Sequence, residues 1–188
     1  MYLERGYLFA LAFIMRKEMN YLFESISEEM FKEKVVIRFD NINEGFNRFT
    51  NFMLESKCEE NCEAELIEFL KKALELNGND NSYVDFYFSR LDVNSKQKLF
   101  DLLDAEDKKI LERYDREVKE EKIYFRLNDE ILPFLARLCT REILFCTFYY
   151  TKFPCTIWGN YNMKFPIFFD SEEMVECYNF WGRFSIYS

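Results

Sequence analysis

Apolar side chains recur at three- and four-residue steps through most of the first 120 residues, which is the spacing of one helix face. A long first helix is predicted by Leu8, Leu11, Met15, Met19 and Leu22. A second stripe consists of Leu66, Ile67, Leu70, Ala73 and Leu74. Asn77-Gly78 follows it, and glycine is the usual residue just beyond a helix end. The pattern therefore predicts a mainly helical region up to residue 121.

Capping residues predict where shorter helices begin between these stripes. Ser25 and Glu28 have the spacing of a capping box, Asn43 can cap a third helix, and Asp104 can cap a later one. The helix after Asn43 would carry on one side Phe46, Phe49, Phe52 and Met53. The β-branched stretch 35–39 is typical of a short strand, although a helical continuation fits nearly as well.

The pattern changes after Glu121. A strand is predicted over 123–127 and a helix over 129–140, beginning near Asn128. Of the 36 aromatic residues, 15 lie in the last 47 positions, and such density is typical of strands. Gly159-Asn160 has the composition of a two-residue hairpin turn with Gly159 at positive φ.

These elements together predict an α+β fold with a mainly helical N-terminal body and a small antiparallel C-terminal sheet. We expect a single domain over 1–188, because no Pro/Gly/Ser linker interrupts the chain. Within it, 1–121 would form the helical body, and 122–188 would form an aromatic, β-containing lobe packed on that body.

Charge changes the picture because it is unevenly distributed. The chain has 34 acidic and 25 basic residues, a net charge of −9, and a charge of −8 falls on residues 55–130. A solvated helical surface explains this most simply. The alternative is an acidic face that docks on a basic protein partner, which would consist of Glu59, Glu60, Glu63, Glu65 and Glu68. Such a surface repels phosphate, so direct nucleic-acid binding is disfavoured.

The chain contains no histidine, which excludes the Ser-His-Asp triad, the Cys-His pair and any His-ligated zinc site. No phosphate-binding glycine motif is present either. An acid-lysine cluster over 115–122 could hold Mg²⁺, but solvated charge at a helix end is the simpler interpretation. We therefore expect a protein that is not an enzyme and uses no cofactor or metal.

The six cysteines include no C-x-x-C pair and alternate with aromatic residues, which favours buried free thiols. The apolar run over 7–15 is shorter than the roughly 20 residues needed to span a bilayer, and it lacks the flanks of a signal peptide. Both features favour a cytoplasmic protein that does not enter a membrane.

Two classes of function are compatible with these features. The first is a non-enzymatic inhibitor that neutralises a basic partner such as a nuclease or toxin, in the manner of immunity proteins, antitoxins or phage anti-defence proteins; the composition suggests a bacterial or phage origin. The second is a protein that binds a small, nucleotide-like ligand, or acts on it, in the aromatic lobe. The residues that would contact that ligand are Arg141, Trp158, Asn160, Tyr161, Asn162 and Arg183.

Overall fold

The computed structural model describes residues 21–56, 59–179 and 184–187. The α-helices in this part of the chain are α1 (Glu28–Lys34), α2 (Ile42–Arg48), α3 (Cys62–Asn77), α4 (Val93–Leu102), α5 (Ala105–Glu117), α6 (Ile131–Thr140) and α7 (Glu172–Asn179). The strands are β1 (Thr50–Ser56), β2 (Ser82–Asp85), β3 (Tyr124–Arg126), β4 (Thr147–Tyr150), β5 (Cys155–Trp158), β6 (Lys164–Phe169) and β7 (Phe184–Tyr187). Short 3₁₀ turns occupy Glu59–Asn61, Asn79–Asn81 and Tyr87–Arg90. The first predicted helix, over 8–22, lies almost entirely outside the described residues.

The strands form one antiparallel sheet in the order β3-β2-β4-β5-β6-β1-β7. The α+β class is therefore confirmed. The separation into a helical first part and a later sheet is only partly right, because β1 and β2 come from the first part and occupy inner positions. Two helices, α6 and α7, lie within the predicted β-containing lobe. That the chain forms a single domain stays a prediction.

Local signals located several helix boundaries correctly. Helix α3 buries Leu66, Leu70 and Leu74 and ends at Gly78, whose φ is 80°. The Asp104 side chain accepts hydrogen bonds from the backbone N–H groups of Glu106 and Asp107 at the start of α5. Asn128 accepts from Glu130 and Ile131 before α6 in the same way. Each cap satisfies amide groups that have no partner inside the helix.

Other boundaries differ from the predictions made on residues 25–53. Helix α1 is capped by Ser27 rather than Ser25, and α2 is capped by Asn41 rather than Asn43. The stretch 35–39 is extended but belongs to no strand. Phe52 and Met53 lie in β1, not in a helix, because β1 pairs with β6 on one side and β7 on the other. Tertiary pairing overrides the helical spacing of the phenylalanines here.

The β5–β6 connection is a hairpin, but its turn does not lie at Gly159-Asn160. Ile157 pairs with Ile167, which centres the loop near Asn162, and Asn162 and Met163 adopt the positive φ values of 58° and 54°. Gly159 is not among the glycines at positive φ. Its backbone N–H instead donates to the carbonyl oxygen of Cys146 at 3.1 Å, and a Cβ there would lie 2.5 Å from that oxygen. The backbone at this position approaches the start of β4 so closely that a Cβ does not fit, which explains why the residue is glycine.

One face of the sheet, which we call the apolar face, packs against α3 and α6. A buried row crosses the strands on this face because side chains alternate along each strand. It consists of Phe125, Val84, Phe148, Ile157 and Ile167. Helix α5 is attached to α6 by an ion pair in which Arg137 Nε donates to the two carboxylate oxygens of buried Asp107 at 3.0 and 2.9 Å.

The opposite face, which we call the polar face, is covered by residues 26–49, the covering segment. Phe31 and Val35 pack there on Tyr83 and Tyr149. The Thr156 hydroxyl donates to the carbonyl oxygen of Ile37 at 2.7 Å, which fastens the segment to β5. The buried side chains of this face include polar ones, namely Asp85, Thr147 and Thr156.

The five described cysteines are free thiols, and Cys62, Cys139, Cys146 and Cys155 are buried. Burial raises the pKa of the Cys146 thiol well above its ordinary value. Cys58 lies outside the described residues. Within the described part of the chain, no helix has the length and apolar character needed to cross a membrane.

Candidate functional site

A cavity of about 440 Å³ lies between the covering segment and the polar face. We call it the Asp85 pocket. Residues from α1, the 36–40 stretch and α2 line it on one side, and residues from the strands β2 to β5 line it on the other. The lining side chains are Glu28, Phe31, Lys32, Val36, Arg38, Phe39, Asp40, Glu44, Arg48, Asp85, Tyr87, Tyr124, Tyr149 and Trp158.

Asp85 is the last residue of β2 and is only 5% exposed. Its carboxylate accepts hydrogen bonds from the backbone N–H of Thr147 at 2.6 Å and from the hydroxyl of Tyr149 at 3.0 Å. Among the described residues, no Lys or Arg nitrogen forms an ion pair with it. Burial raises the pKa of Asp85 to about 6, although hydrogen bonds from the backbone and side chain of Thr147 and from Tyr149 act in the opposite direction. At neutral pH the pocket therefore contains a buried carboxylate that is mostly ionised and has no cationic partner in the part of the chain that the structure describes.

Aromatic rings form much of the pocket wall. Phe31 stacks on Tyr124 with ring centroids 3.8 Å apart and meets Tyr149 edge-on at 4.9 Å. Phe39 stacks on Trp158 at 5.2 Å with an interplanar angle of 19°. Strand pairing positions these rings, since Tyr124 pairs with Asp85 and Trp158 pairs with Thr147. The flat side chains from the sheet and from the covering segment support one another around the carboxylate.

The pKa values of three pocket tyrosines are raised by their own burial and by the charge of Asp85. Burial, followed by the Asp85 charge, raises the pKa of Tyr87 to about 12. The same two causes raise the pKa of Tyr124, and they raise that of Tyr149 well above its ordinary value. All three hydroxyls consequently keep their protons at neutral pH, and the Tyr149 hydroxyl donates its proton to Asp85.

The pocket rim contains both signs of charge. Lys32 pairs with Glu28 at 2.6 Å, and Arg48 pairs with Glu44, both across one helix turn. Arg38 donates to the carbonyl oxygen of Val35 and has no carboxylate within ion-pair distance among the described residues. The rim cations are thus directed to neighbours in the covering segment and do not neutralise Asp85.

The ligand-binding residues predicted from the sequence are not brought together. Trp158 lines the Asp85 pocket. Asn160, Tyr161 and Asn162 lie in the β5–β6 loop, where Tyr161 is exposed and packs on Phe145 at 4.6 Å. Arg141 is held on the helical side of the sheet by Glu63 and Asp104 at 2.9 and 3.2 Å. Arg183 lies outside the described residues.

The predicted acidic face lies at the start of α3 and is partly neutralised within the chain. Glu60 is exposed, Glu63 accepts from Arg141, and Glu68 pairs with Lys72 at 2.8 Å. Glu65 is half-buried, and the side chain of Glu59 is not described. Because Arg141 also contacts Asp104, the acidic beginnings of α3 and α5 lie side by side.

The sequence analysis missed Asp85, although a signal was present. Asp85 is the one charged residue in the apolar run Tyr83–Phe88, and a charge inside a buried strand requires a specific partner or a ligand. The covering segment was missed because its contacts with β3, β4 and β5 are long-range.

Within the described residues, no group of three or more Cys, Asp or Glu side chains has an arrangement that could hold a metal ion. No family model, no curated protein and no solved structure matches this chain.

Proposed function

We propose that this protein binds a small organic molecule in the Asp85 pocket. The observation that carries the proposal is a buried carboxylate that lines a cavity and has no cationic partner among the described residues. A fold dominated by apolar packing gains nothing from such a group, since burying a charge costs free energy unless the charge is paired. A ligand that completes the site gives the carboxylate a role.

The dimensions and lining of the pocket support this proposal. Its volume of about 440 Å³ falls within the range of roughly 300–1,000 Å³ common for small-molecule sites. Stacked aromatic pairs can accept a flat ligand, and the hydroxyls of Tyr87 and Tyr124 can direct it. We propose binding without catalysis, in keeping with the expectation from composition.

A thermal-unfolding screen against a metabolite library tests the proposal. A true ligand at 100 times its dissociation constant adds about 2.7 kcal/mol to the free energy of unfolding. Val36 lines the pocket and is 54% exposed, so Val36→Trp can obstruct the cavity without disturbing the core. Val93 on α4 is 82% exposed and does not line the pocket, so Val93→Trp is the matched control.

We expect ligands to stabilise wild type and Val93→Trp but not Val36→Trp. A ligand that stabilises all three proteins equally binds elsewhere and contradicts the assignment of the pocket. A library that stabilises none of them contradicts the proposed function.

A second proposal, from a different class, is that the acidic face docks on a basic protein partner that it inhibits. One observation favours it: Arg141 brings the beginnings of α3 and α5 together, so that the two most acidic parts of the sequence share a surface. Electrostatic complementarity of this kind accelerates encounter with a basic surface. Glu63 and Glu68 are each paired with a basic residue of the chain, which weakens the negative field of the acidic face. We therefore place this proposal second.

Affinity capture from the cells that make the protein tests the second proposal. Glu60→Lys/Glu68→Lys reverses two exposed charges of the acidic face, and Glu172→Lys/Glu173→Lys makes the same change on exposed α7 residues. We expect wild type and the α7 variant to retain one basic protein that the acidic-face variant loses. Association with that protein should slow as salt rises, because screening acts over about 8 Å at physiological salt. Equal retention by all three proteins would show that the acidic face is only a solvated surface.

We also propose a cytoplasmic location, which the free thiols of the five described cysteines support. A reducing agent should then leave the melting temperature nearly unchanged. Loss of a native disulfide typically costs about 2–5 kcal/mol, so a large fall on reduction would contradict the location.

A further inference from the structure

Among the described residues, the Asp85 carboxylate is stabilised by dipoles and by no charged partner. Its donors, which belong to the backbone and side chain of Thr147 and to the hydroxyl of Tyr149, are neutral groups. These neutral donors offset part of the cost of burying the charge but leave its field in the cavity uncompensated. The remaining requirement of the site is a positive charge.

The cations around the pocket do not meet this requirement. Lys32 and Arg48 are paired with Glu28 and Glu44 in their own helices, and Arg38 donates to a backbone carbonyl. Each of them lies on the covering segment, and none forms an ion pair with Asp85 among the described residues. Within the described part of the chain, no side chain supplies this positive charge.

We propose that the ligand of the Asp85 pocket is an organic cation whose ammonium group lies against the Asp85 carboxylate and among the surrounding aromatic rings. This inference rests on the proposed function and specifies its ligand class. Rings of Tyr, Phe and Trp attract cations through their negative faces, and an aromatic enclosure with a carboxylate is a favourable environment for an ammonium group. Carboxylates and phosphates are repelled by Asp85 and are excluded from the inner end of the pocket.

Protonation of Asp85 controls this recognition. Other titratable or charged groups also face the cavity, from α1, the 36–40 stretch, α2, the turn after β2 and the strands β3 and β4. They are Glu28, Lys32, Arg38, Asp40, Glu44, Arg48, Tyr87, Tyr124 and Tyr149. The pKa of Glu44 is lowered, chiefly by a hydrogen bond from the backbone N–H of Asp40, so its charge persists at mildly acidic pH. The raised pKa of Asp85, about 6, makes it the group that loses its charge just below neutrality.

Isothermal titration calorimetry with three probes of matched shape tests the inference. The probes are phenethylamine, 2-phenylethanol and phenylacetate, which carry a positive charge, no charge and a negative charge at pH 7.5. We expect the amine to bind at least about tenfold more tightly than the alcohol, and we expect phenylacetate to bind most weakly. Lowering the pH to 5 should weaken amine binding by about tenfold, since a carboxyl with a pKa of about 6 is then mostly protonated. Binding of the alcohol should change little.

Asp85→Asn is the decisive variant because it removes the charge while the amide oxygen can still accept from the backbone N–H of Thr147 and the Tyr149 hydroxyl can turn to accept from the amide N–H. It should bind the amine and the alcohol equally and lose the pH dependence of amine binding. Asp101→Asn, an exposed change on α4, should behave like wild type. A pH dependence that survives in Asp85→Asn would assign the effect to Glu28, Asp40 or Glu44 and overturn the inference.

The remaining outcomes separate the inference from the proposed function. If the alcohol or phenylacetate binds as tightly as the amine or more tightly, the inference of a cationic ligand is wrong. The proposal of a small-molecule pocket then still stands. Failure of all three probes at millimolar concentration overturns the inference, and the library screen with Val36→Trp then decides the proposed function independently. A lysine side chain carries the same ammonium group, so Nα-acetyl-lysine methylamide forms a further arm. If it binds more tightly than phenethylamine, the cation comes from a protein side chain, which overturns the small-molecule source.

Discussion

The two faces of the sheet are built from the same strands but from different chemistry. Neighbouring residues of β5 illustrate this, since Ile157 contacts the apolar core while Thr156 donates a hydrogen bond to the covering segment. The apolar face is stabilised by the close packing of buried apolar side chains. The polar face is held together by hydrogen bonds and stacked rings, and it leaves a cavity with a charged group inside. The apolar core and the proposed ligand site therefore lie on opposite sides of one sheet.

The largest expected effect comes from a direct comparison of these two residues. Ile157→Ala should lower the free energy of unfolding by about 2–5 kcal/mol, because it leaves a cavity in a core that can only partly relax. Thr156→Val keeps the shape but removes one hydrogen bond and should cost only about 1–3 kcal/mol. Urea denaturation measures both. A Thr156 variant that is destabilised more than Ile157→Ala would show that the polar face, not the apolar face, dominates stability.

The second prediction concerns the pH dependence of stability. The folded-state pKa of Asp85, about 6, lies above the ordinary value of 3.8, so the folded chain binds more protons than the unfolded chain between these values. The stability contributed by protonated Asp85 is fully present below about pH 4 and is lost as the pH rises through 6. Relative to Asp85→Asn, wild type should lose about 2 kcal/mol between pH 4 and pH 7.

Denaturation of both proteins across this pH range provides the measurement. Other carboxyl groups contribute equally to the two proteins and cancel in the difference. Asp101→Asn should follow the wild-type curve. Parallel curves for wild type and Asp85→Asn would contradict the raised pKa and weaken the case for an uncompensated charge in the pocket.

A smaller loss of stability is expected from a substitution at Gly159, where the chain after β5 approaches the start of β4. A Cβ on Gly159 would lie 2.5 Å from the carbonyl oxygen of Cys146, so Gly159→Ala should cost about 1–3 kcal/mol through a forced backbone shift. Asn160→Ala, at the next position, should change stability by less than about 0.5 kcal/mol. Thermal unfolding distinguishes the two. Equal losses would contradict the close approach of Gly159 to the carbonyl oxygen of Cys146.

The smallest effects are expected on the acidic face. Glu60→Lys/Glu68→Lys should alter stability by no more than about 0.5 kcal/mol per substitution, because both side chains are exposed. Glu63→Lys removes one carboxylate partner of Arg141 and should cost somewhat more, up to about 1 kcal/mol, since both groups are partly screened by solvent. Urea denaturation at low and high salt tests this order, and a reversed order would show that the Arg141 bridge has no structural role.

The sequence by itself determined the features that depend on a few consecutive residues. The stripe of α3 and the stop at Gly78, the Asp104 cap of α5 and the Asn128 cap of α6 were all read correctly. So was the α+β class, because helical spacing and aromatic density are properties of short windows.

Only the tertiary structure decided where β1 pairs, where the β5–β6 turn falls and what surrounds Asp85. Thr50 pairs with Phe169, and the Asp85 pocket assembles residues from the covering segment, β2, β3, β4 and β5. The free energy of such pairing comes from contacts between segments far apart in the chain, so no local pattern contains it. Asp85 shows the limit most clearly, because its position in an apolar run was visible in the sequence. Its raised pKa, and the absence of a cationic partner among the described residues, arise from the burial and the neighbours that folding supplies.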